Sequence, residues 1–327
     1  MSFKEIINQD HAVRFLSASF GQGRLAGAYL FLGPQGAGRE KTAQEFAKLI
    51  NCQTPSDDCC DECHACRAIT DNKHVDVRWV RPINNTITID QVRELQHAIY
   101  LRPYELLRKV FVICDAQCLN EEASNALLKT LEEPPESAVL ILIALQTTAV
   151  LDTISSRCQK VVFNAVGEER LKQLLQERHQ VSADRAHLLS YLTHGNIKDA
   201  LELAELGDEL LQKRAHILNA IYFKKFALFK MEEFSLKDNT ERRRRLGFLL
   251  DMVLSWLRDL LMIKTNIEAP LINQDKKTEL VRSSGHYSSD ELMQGIESVA
   301  SAKNLVSSDT NINVKLAFAK MRADLWK

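Results

Sequence analysis

The residues best suited to chemistry fall in a few short stretches. The first is Gly33-Pro34-Gln35-Gly36-Ala37-Gly38-Arg39-Glu40-Lys41-Thr42, set between the apolar run Ala28–Leu32 and a helical pattern from Thr42 to Ile50. Strand, glycine loop and helix is the setting a phosphate-binding loop needs. Glycines let backbone N–H groups approach a phosphate, and a helix N-terminus adds positive partial charge. Gly33, Gly36 and Gly38 suit the spacing G-x-x-x-x-G-K-[ST], but Arg39 and Glu40 stand where Lys and Ser/Thr are required. Arg39 keeps the charge on a longer, planar head, whereas Glu40 would bring a carboxylate towards a polyanion. Lys41-Thr42 is a poor substitute two positions on: a helix turns about 100° per residue, so Lys41 lies roughly 200° from position 39. The stretch is either a phosphate loop whose nucleotide chemistry is impaired or lost, or a tight strand-to-helix turn that never bound nucleotide.

Five of the eight cysteines fall together: Cys52, Cys59, Cys60, Cys63 and Cys66. Cys60-x-x-Cys63-x-x-Cys66 with Cys52 as a fourth thiolate satisfies the closed, tetrahedral coordination of structural Zn²⁺. Such a site would stabilise a small protrusion rather than catalyse. Cys59 and His64 compete as ligands, and a polar stretch offers five thiols no core to sit in. A strand-like run, Val110–Cys114, ends in Cys114-Asp115; a phosphate-loop ATPase would place two carboxylates there for Mg²⁺ and water. A thiol is a poor Mg²⁺ ligand, so Asp115 reads as a loop or cap residue. Ser156-Arg157-Cys158 follows another apolar run, and on spacing alone Arg157 is an ordinary cation near a helix C-terminus. Arg242-Arg243-Arg244-Arg245 reads as a solvated helix face without the aromatics of a single-strand site, and Trp256 as core.

These residues need a scaffold. A strand-like stretch at Asp76–Val80 and apolar runs at Val110–Cys114, Val139–Leu145 and Val161–Phe163 alternate with helical patterns at Ile89–Leu101 and from Asn120, a cap, to Leu131, which Pro134-Pro135 stop. Strands apolar throughout imply a parallel sheet covered on both faces. Residues 1–27 read as helical. From about residue 166 the strands stop, and helices at Glu168–Glu177, Ala186–Leu192, Asp199–Leu206 and Leu246–Ile263 follow, with a break at Gly195-Asn196 and loops at Asn266–Gln274 and Ser283–Ser289. The net charge of −1 confines any nucleic-acid contact to a local patch or a partner. No run approaches the roughly 20 apolar residues of a membrane span, and Met1-Ser2-Phe3-Lys4-Glu5 is no signal peptide, so the cytoplasm is the expected compartment.

In order along the chain, these motifs resemble those of the bacterial DNA polymerase III clamp-loader subunits of the AAA+ family. The loop and first helix through Asn51-Cys52, the cysteine triplet, Ser124-Asn125-Ala126-Leu127-Leu128-Lys129-Thr130-Leu131-Glu132-Glu133-Pro134-Pro135 and Ser156-Arg157-Cys158 carry the likeness. Within the family the chain resembles the delta-prime branch more than the motor branch, gamma/tau, which keeps Lys-Thr in the loop and Asp-Glu at the second strand. Leu145 falls near the usual sensor Thr, Lys198 stands where motors carry Arg, and the length lacks the motor's C-terminal extension.

The resemblance implies a fold that is α/β, then all-α. An AAA+ RecA-like parallel-sheet domain over 1–165 carries the zinc module at about 52–66, a helical lid spans 166–206, and a helical collar for oligomerisation spans 207–327. It implies five subunits in an open ring that opens a sliding clamp (beta) and releases it onto primer-template DNA, with delta and gamma/tau as partners and no membrane. Arg157, flanked by Ser156 and Cys158, would be an arginine finger acting in trans on ATP bound by a neighbouring gamma/tau subunit, while this chain's degenerate loop stays empty. Zn²⁺ would be structural, held by Cys52, Cys60, Cys63 and Cys66. The alternatives are an ATP-hydrolysing motor of the gamma/tau type, with Arg39 acting for Lys, and a zinc-dependent nucleic-acid binder. The second is disfavoured because Asp57, Asp58, Asp61 and Glu62 outweigh Arg67 and Lys73 around the module.

Overall fold

The computed structural model describes residues 3–55, 58–71, 74–207, 212, 214–218, 239–307 and 314–324. Asp57, Lys73 and most of the stretch 208–238 therefore lie outside the described residues. The chain divides into two compact units, Met1–Val166 and Gly167–Lys327.

The first unit is built on five parallel strands in the order β2-β3-β4-β1-β5: β1 Ala28–Leu32, β2 Val77–Val80, β3 Lys109–Ile113, β4 Ala138–Ala144 and β5 Gln159–Val162. Every residue of β1, β3 and β4 is buried, because alternate side chains enter cores on opposite faces. Tyr29, Phe31, Val110, Val112, Ile141 and Ile143 join one core with Leu16 of α1 (Asp10–Gly21), Phe46 of α2 (Arg39–Asn51) and Ile69 of α3 (His64–Thr70). Leu30, Leu32, Phe111, Ile113, Leu140 and Leu142 join the other with Leu95 of α4 (Ile89–Ile99), Leu127 of α5 (Glu121–Glu132) and Ile154 of α6 (Asp152–Ser155).

Two expectations are corrected here. The first 27 residues are not one helix: a 3-10 turn at Phe3–Glu5 precedes α1, and between them Asn8 takes φ +58. Nor is the cysteine stretch a protrusion without a core. It contains α3, whose Ala65 and Ile69 enter the main core, and Cys52, Cys59 and Cys66 are buried together. Seven residues are too few for a helical period to stand out in the sequence.

The second unit is helical: α7 Glu168–His179, α8 Ala183–Leu192, α9 Ile197–Glu205, α10 Asn239–Lys264, α11 Lys277–Ser284, α12 Ser289–Ser307 and α13 Val314–Asp324. The expected lid and collar segments both lie in it. The loop expected over Ser283–Ser289 is shorter, because Ser283 and Ser284 end α11 and Ser289 begins α12. Trp256 is buried on α10. Asp259, also fully buried, accepts hydrogen bonds from the backbone N–H groups of Ile272 (3.1 Å) and Asn273 (2.7 Å), fixing the segment after α10 to that helix.

Candidate functional site

The glycine loop joins β1 to α2 at the C-terminal edge of the sheet. Gly38 takes φ +82 immediately before Arg39 starts the helix, a conformation that costs glycine little. A Cβ on Gly33 would stand 2.4 Å from the carbonyl oxygen of Phe163, so the close approach of the chain after β5 excludes a side chain there.

Arg39 does not extend into the loop. It is buried, and its Nη1 donates to the carbonyl oxygen of Ala144, the last residue of β4, at 2.5 Å. Burial pulls its pKa down; Asp115 and Glu40 partly oppose this. Glu40 forms a bidentate ion pair with Arg81, just beyond β2, at 2.6 and 3.2 Å. That pairing is the main reason Arg81's pKa is raised. The Arg81 guanidinium also lies over the Trp79 ring, 5.5 Å from its centroid. Lys41 pairs with Glu45 at 2.9 Å, and the Thr42 hydroxyl donates to Gly38 O at 2.9 Å, so the slipped Lys-Thr pair is committed within its own helix.

At the end of β3, Cys114 is buried and its thiol is pushed up to about 12, chiefly by burial. Asp115 takes φ +51, begins a 3-10 turn over Ala116–Cys118 and accepts from Gln117 at 3.2 Å. Leu145, exposed after β4, brings no hydroxyl to the edge.

The Sγ atoms of Cys52, Cys60, Cys63 and Cys66 lie within 4.8 Å of one another. A tetrahedral Zn–S₄ centre with Zn–S bonds of about 2.3 Å sets its sulfurs roughly 3.8 Å apart, so these four residues could hold a metal ion. Two N–H···S contacts already support the sulfurs, Cys60 N–H to Cys52 Sγ and Cys63 N–H to Cys60 Sγ, each 3.3 Å. The backbone N–H groups of Cys63 and Glu62 lower the Cys60 thiol to about 6, towards the thiolate a metal requires. Cys59 turns elsewhere, to Glu45 and Asp61. That second cluster is bridged by the buried ammonium of Lys48, 2.5 Å from Glu45 and 2.6 Å from Asp61. His64 faces Glu105 at 3.3 Å.

Arg157 stands two residues beyond α6, between Ile154 of that helix and Cys158, both buried in the same core. Ser156 Oγ donates to Thr153 O at 3.2 Å. The guanidinium is exposed and held from two sides: Nε and Nη2 donate to Glu132 Oε1 at 3.0 and 2.6 Å, and Nη1 to Thr153 O at 2.9 Å. In the second unit Lys198 is exposed on α9, 4.0 Å from Glu202. Arg244 pairs with Asp199 and Glu241 at 3.0 and 2.9 Å and also with Glu202, and Arg245 pairs with Glu241 at 2.6 Å. These two of the four consecutive arginines are thus tied to carboxylates.

The family described as "DNA polymerase III, delta subunit" matches residues 8–167, and "DNA polymerase III, delta subunit, C terminal" matches 208–324. DNA polymerase III subunit delta' of Bacillus subtilis is 30% identical over 318 residues, covering 95% of each chain. The chain belongs to the delta-prime family of DNA polymerase III clamp-loader subunits. Subunit tau of the same organism is also 30% identical, over 80% of this chain, but the chain spans half the length of that protein. A gamma-subunit-related protein of Thermotoga maritima shares the fold, with TM-score 0.54 at 20% identity over 95% of this chain and 97% of that one.

In this delta-prime family member three partners are set by the fold and not by the motifs: Arg81 for Glu40, Lys48 for Cys59's neighbours, and Glu132 for Arg157. The last carried a local signal, since an acid in the final turn of a helix opposes the helix dipole and calls for a cation.

Proposed function

We propose that this chain is a non-hydrolysing clamp-loader subunit that contributes Arg157 in trans to ATP bound by an adjacent gamma/tau subunit. One contrast carries the reading. The cation at the loop's chemical position is turned inward, Arg39 onto Ala144 O, and the carboxylate, Glu40, is tied to Arg81 at the surface, while Arg157 stands exposed away from the loop. A nucleotide in this chain's own loop would have to displace Arg39 from Ala144 O and accept Glu40, with or without Arg81, beside its phosphates. An arginine supplied in trans can accelerate phosphoryl transfer by about 10³–10⁵ by neutralising charge that develops on the γ-phosphate.

On this reading the partners are delta and gamma/tau, with the beta clamp and primer-template DNA reached through the assembled ring, in the cytoplasm. Among the described residues no helix is long and apolar enough to cross a membrane. Residues 166–206 act as lid and 207–327 as collar. Zn²⁺ on Cys52, Cys60, Cys63 and Cys66 would neutralise thiolate charge and tie the end of α2 to α3, a structural task with no open coordination position. The motor alternative draws on the similarity to tau, and it needs Arg39 and Glu40 released from their partners.

Titration of the isolated chain with a fluorescent ATP analogue and Mg²⁺ separates the two. The proposal expects no saturable binding at millimolar nucleotide; micromolar, Mg²⁺-dependent binding would overturn the empty-loop reading and put the motor alternative ahead.

A further inference from the structure

Glu132 is the last residue of α5, and Glu133 follows it. The carbonyl groups at that helix end already carry partial negative charge, so a carboxylate there is locally unfavourable. Its position is explained by what it holds. Arg157 Nε and Nη2 converge on one oxygen, Glu132 Oε1, and Nη1 donates to Thr153 O. The two anchors belong to different elements, α5 and α6, each packed into the same core through Leu127 and Ile154. Nε and Nη2 share the edge of the guanidinium nearest its stem. The carboxylate grips that edge, Thr153 O takes one N–H of Nη1, and one N–H on each of Nη1 and Nη2 is left without a hydrogen-bond partner among the described residues.

A surface arginine without such restraint samples many rotamers, and ordering it on encounter subtracts from whatever it contributes. Resting on the reading of Arg157 as a finger, we infer that Glu132 is a positioning residue. It fixes the Arg157 guanidinium before assembly, with the remaining N–H groups of Nη1 and Nη2 available to a phosphate bound by the adjacent subunit. Glu132 itself touches no reacting atom; it acts through Arg157.

The test is a double-mutant cycle in the assembled complex, with ATP as substrate and assembly checked by co-elution. Glu132→Gln keeps the side-chain shape and removes the charge. An exposed pair of this kind should cost about twofold to fivefold in kcat, with KM for ATP within about twofold of wild type. In an Arg157→Ala background the same substitution should have no further effect, because nothing remains to be positioned. A general structural role would instead lower activity in both backgrounds. Unchanged or increased turnover in Glu132→Gln, with Arg157→Ala depressed, overturns the positioning role and leaves the finger standing. Unchanged turnover in Arg157→Ala removes the finger reading and the positioning role with it.

Discussion

Replacing Arg39 by Lys restores the motif letter that a phosphate loop requires, and the structure argues that it restores nothing else. Arg39 reaches the carbonyl of Ala144 with a planar head; a lysine is shorter and ends in a compact, strongly hydrated ammonium. The bond lost is charge-assisted and buried, and such bonds contribute about 1.5–3 kcal/mol. Ala144 O keeps the Gly33 N–H at 3.3 Å, which moderates the loss. A net cost near 2 kcal/mol corresponds to a fall of roughly 4–8 °C in Tm for a unit of this size. Arg39→Ala should cost at least as much, since it also removes the buried stem. The assay is urea unfolding followed by hydrogen exchange at the amides of β1 and β4, alongside a nucleotide titration. Both variants should be destabilised, and neither should gain ATP affinity, because Glu40 remains paired with Arg81. Micromolar ATP binding by Arg39→Lys with unchanged stability would refute the reasoning.

The cysteines and Asp76 give two further tests. Purified chain should carry one zinc per molecule; Cys66→Ser should lose it with loss of exchange protection in α3, while Cys59→Ser and His64→Ala retain it, as metal analysis will show. Asp76, 1% exposed, accepts from the backbone N–H groups of Tyr104, Glu105 and Leu106 at 2.9–3.1 Å. Asp76→Ala orphans these donors and should cost about 3 kcal/mol or more in denaturant unfolding. Burial raises the Asp76 carboxyl, but those donors outweigh it and hold it below the ordinary carboxylate range. Its contribution is therefore present above the unfolded value of about 3.9 and lost as pH falls through the lower folded value. A stability–pH profile of Asp76→Asn should lack that part of the acid-side decline.

The scaffold was legible where burial is continuous. The runs at Val110 and Val139 became β3 and β4 almost residue for residue, because a strand buried on both faces admits few polar positions. Asn120 was legible as a cap and accepts from Ala123 N–H at 2.8 Å. Helix starts were harder. The pattern at Thr42 gave no sign that α2 begins at Arg39, since its first turn is polar and the boundary is set by Gly38. Partners distant in sequence were not legible. Glu40 finds Arg81 across 41 positions, and Arg157 finds Glu132 across 25. Nothing local specifies such pairings; the parallel strand order β2-β3-β4-β1-β5 brings together residues that follow β1 and β2 at one end of the strands, and residues that precede β4 and β5 at the other.

The central claim is that this chain supplies the cation for a neighbour's ATP and hydrolyses none of its own. The most direct measurement is a rapid-quench count of ATP hydrolysed per complex in the first turnover on primed DNA, comparing wild-type chain with Arg157→Ala. With one interface slowed by about 10³ or more, the burst should fall by one site's worth while complex assembly and the remaining sites are unaffected. A burst of unchanged amplitude and rate would contradict the account.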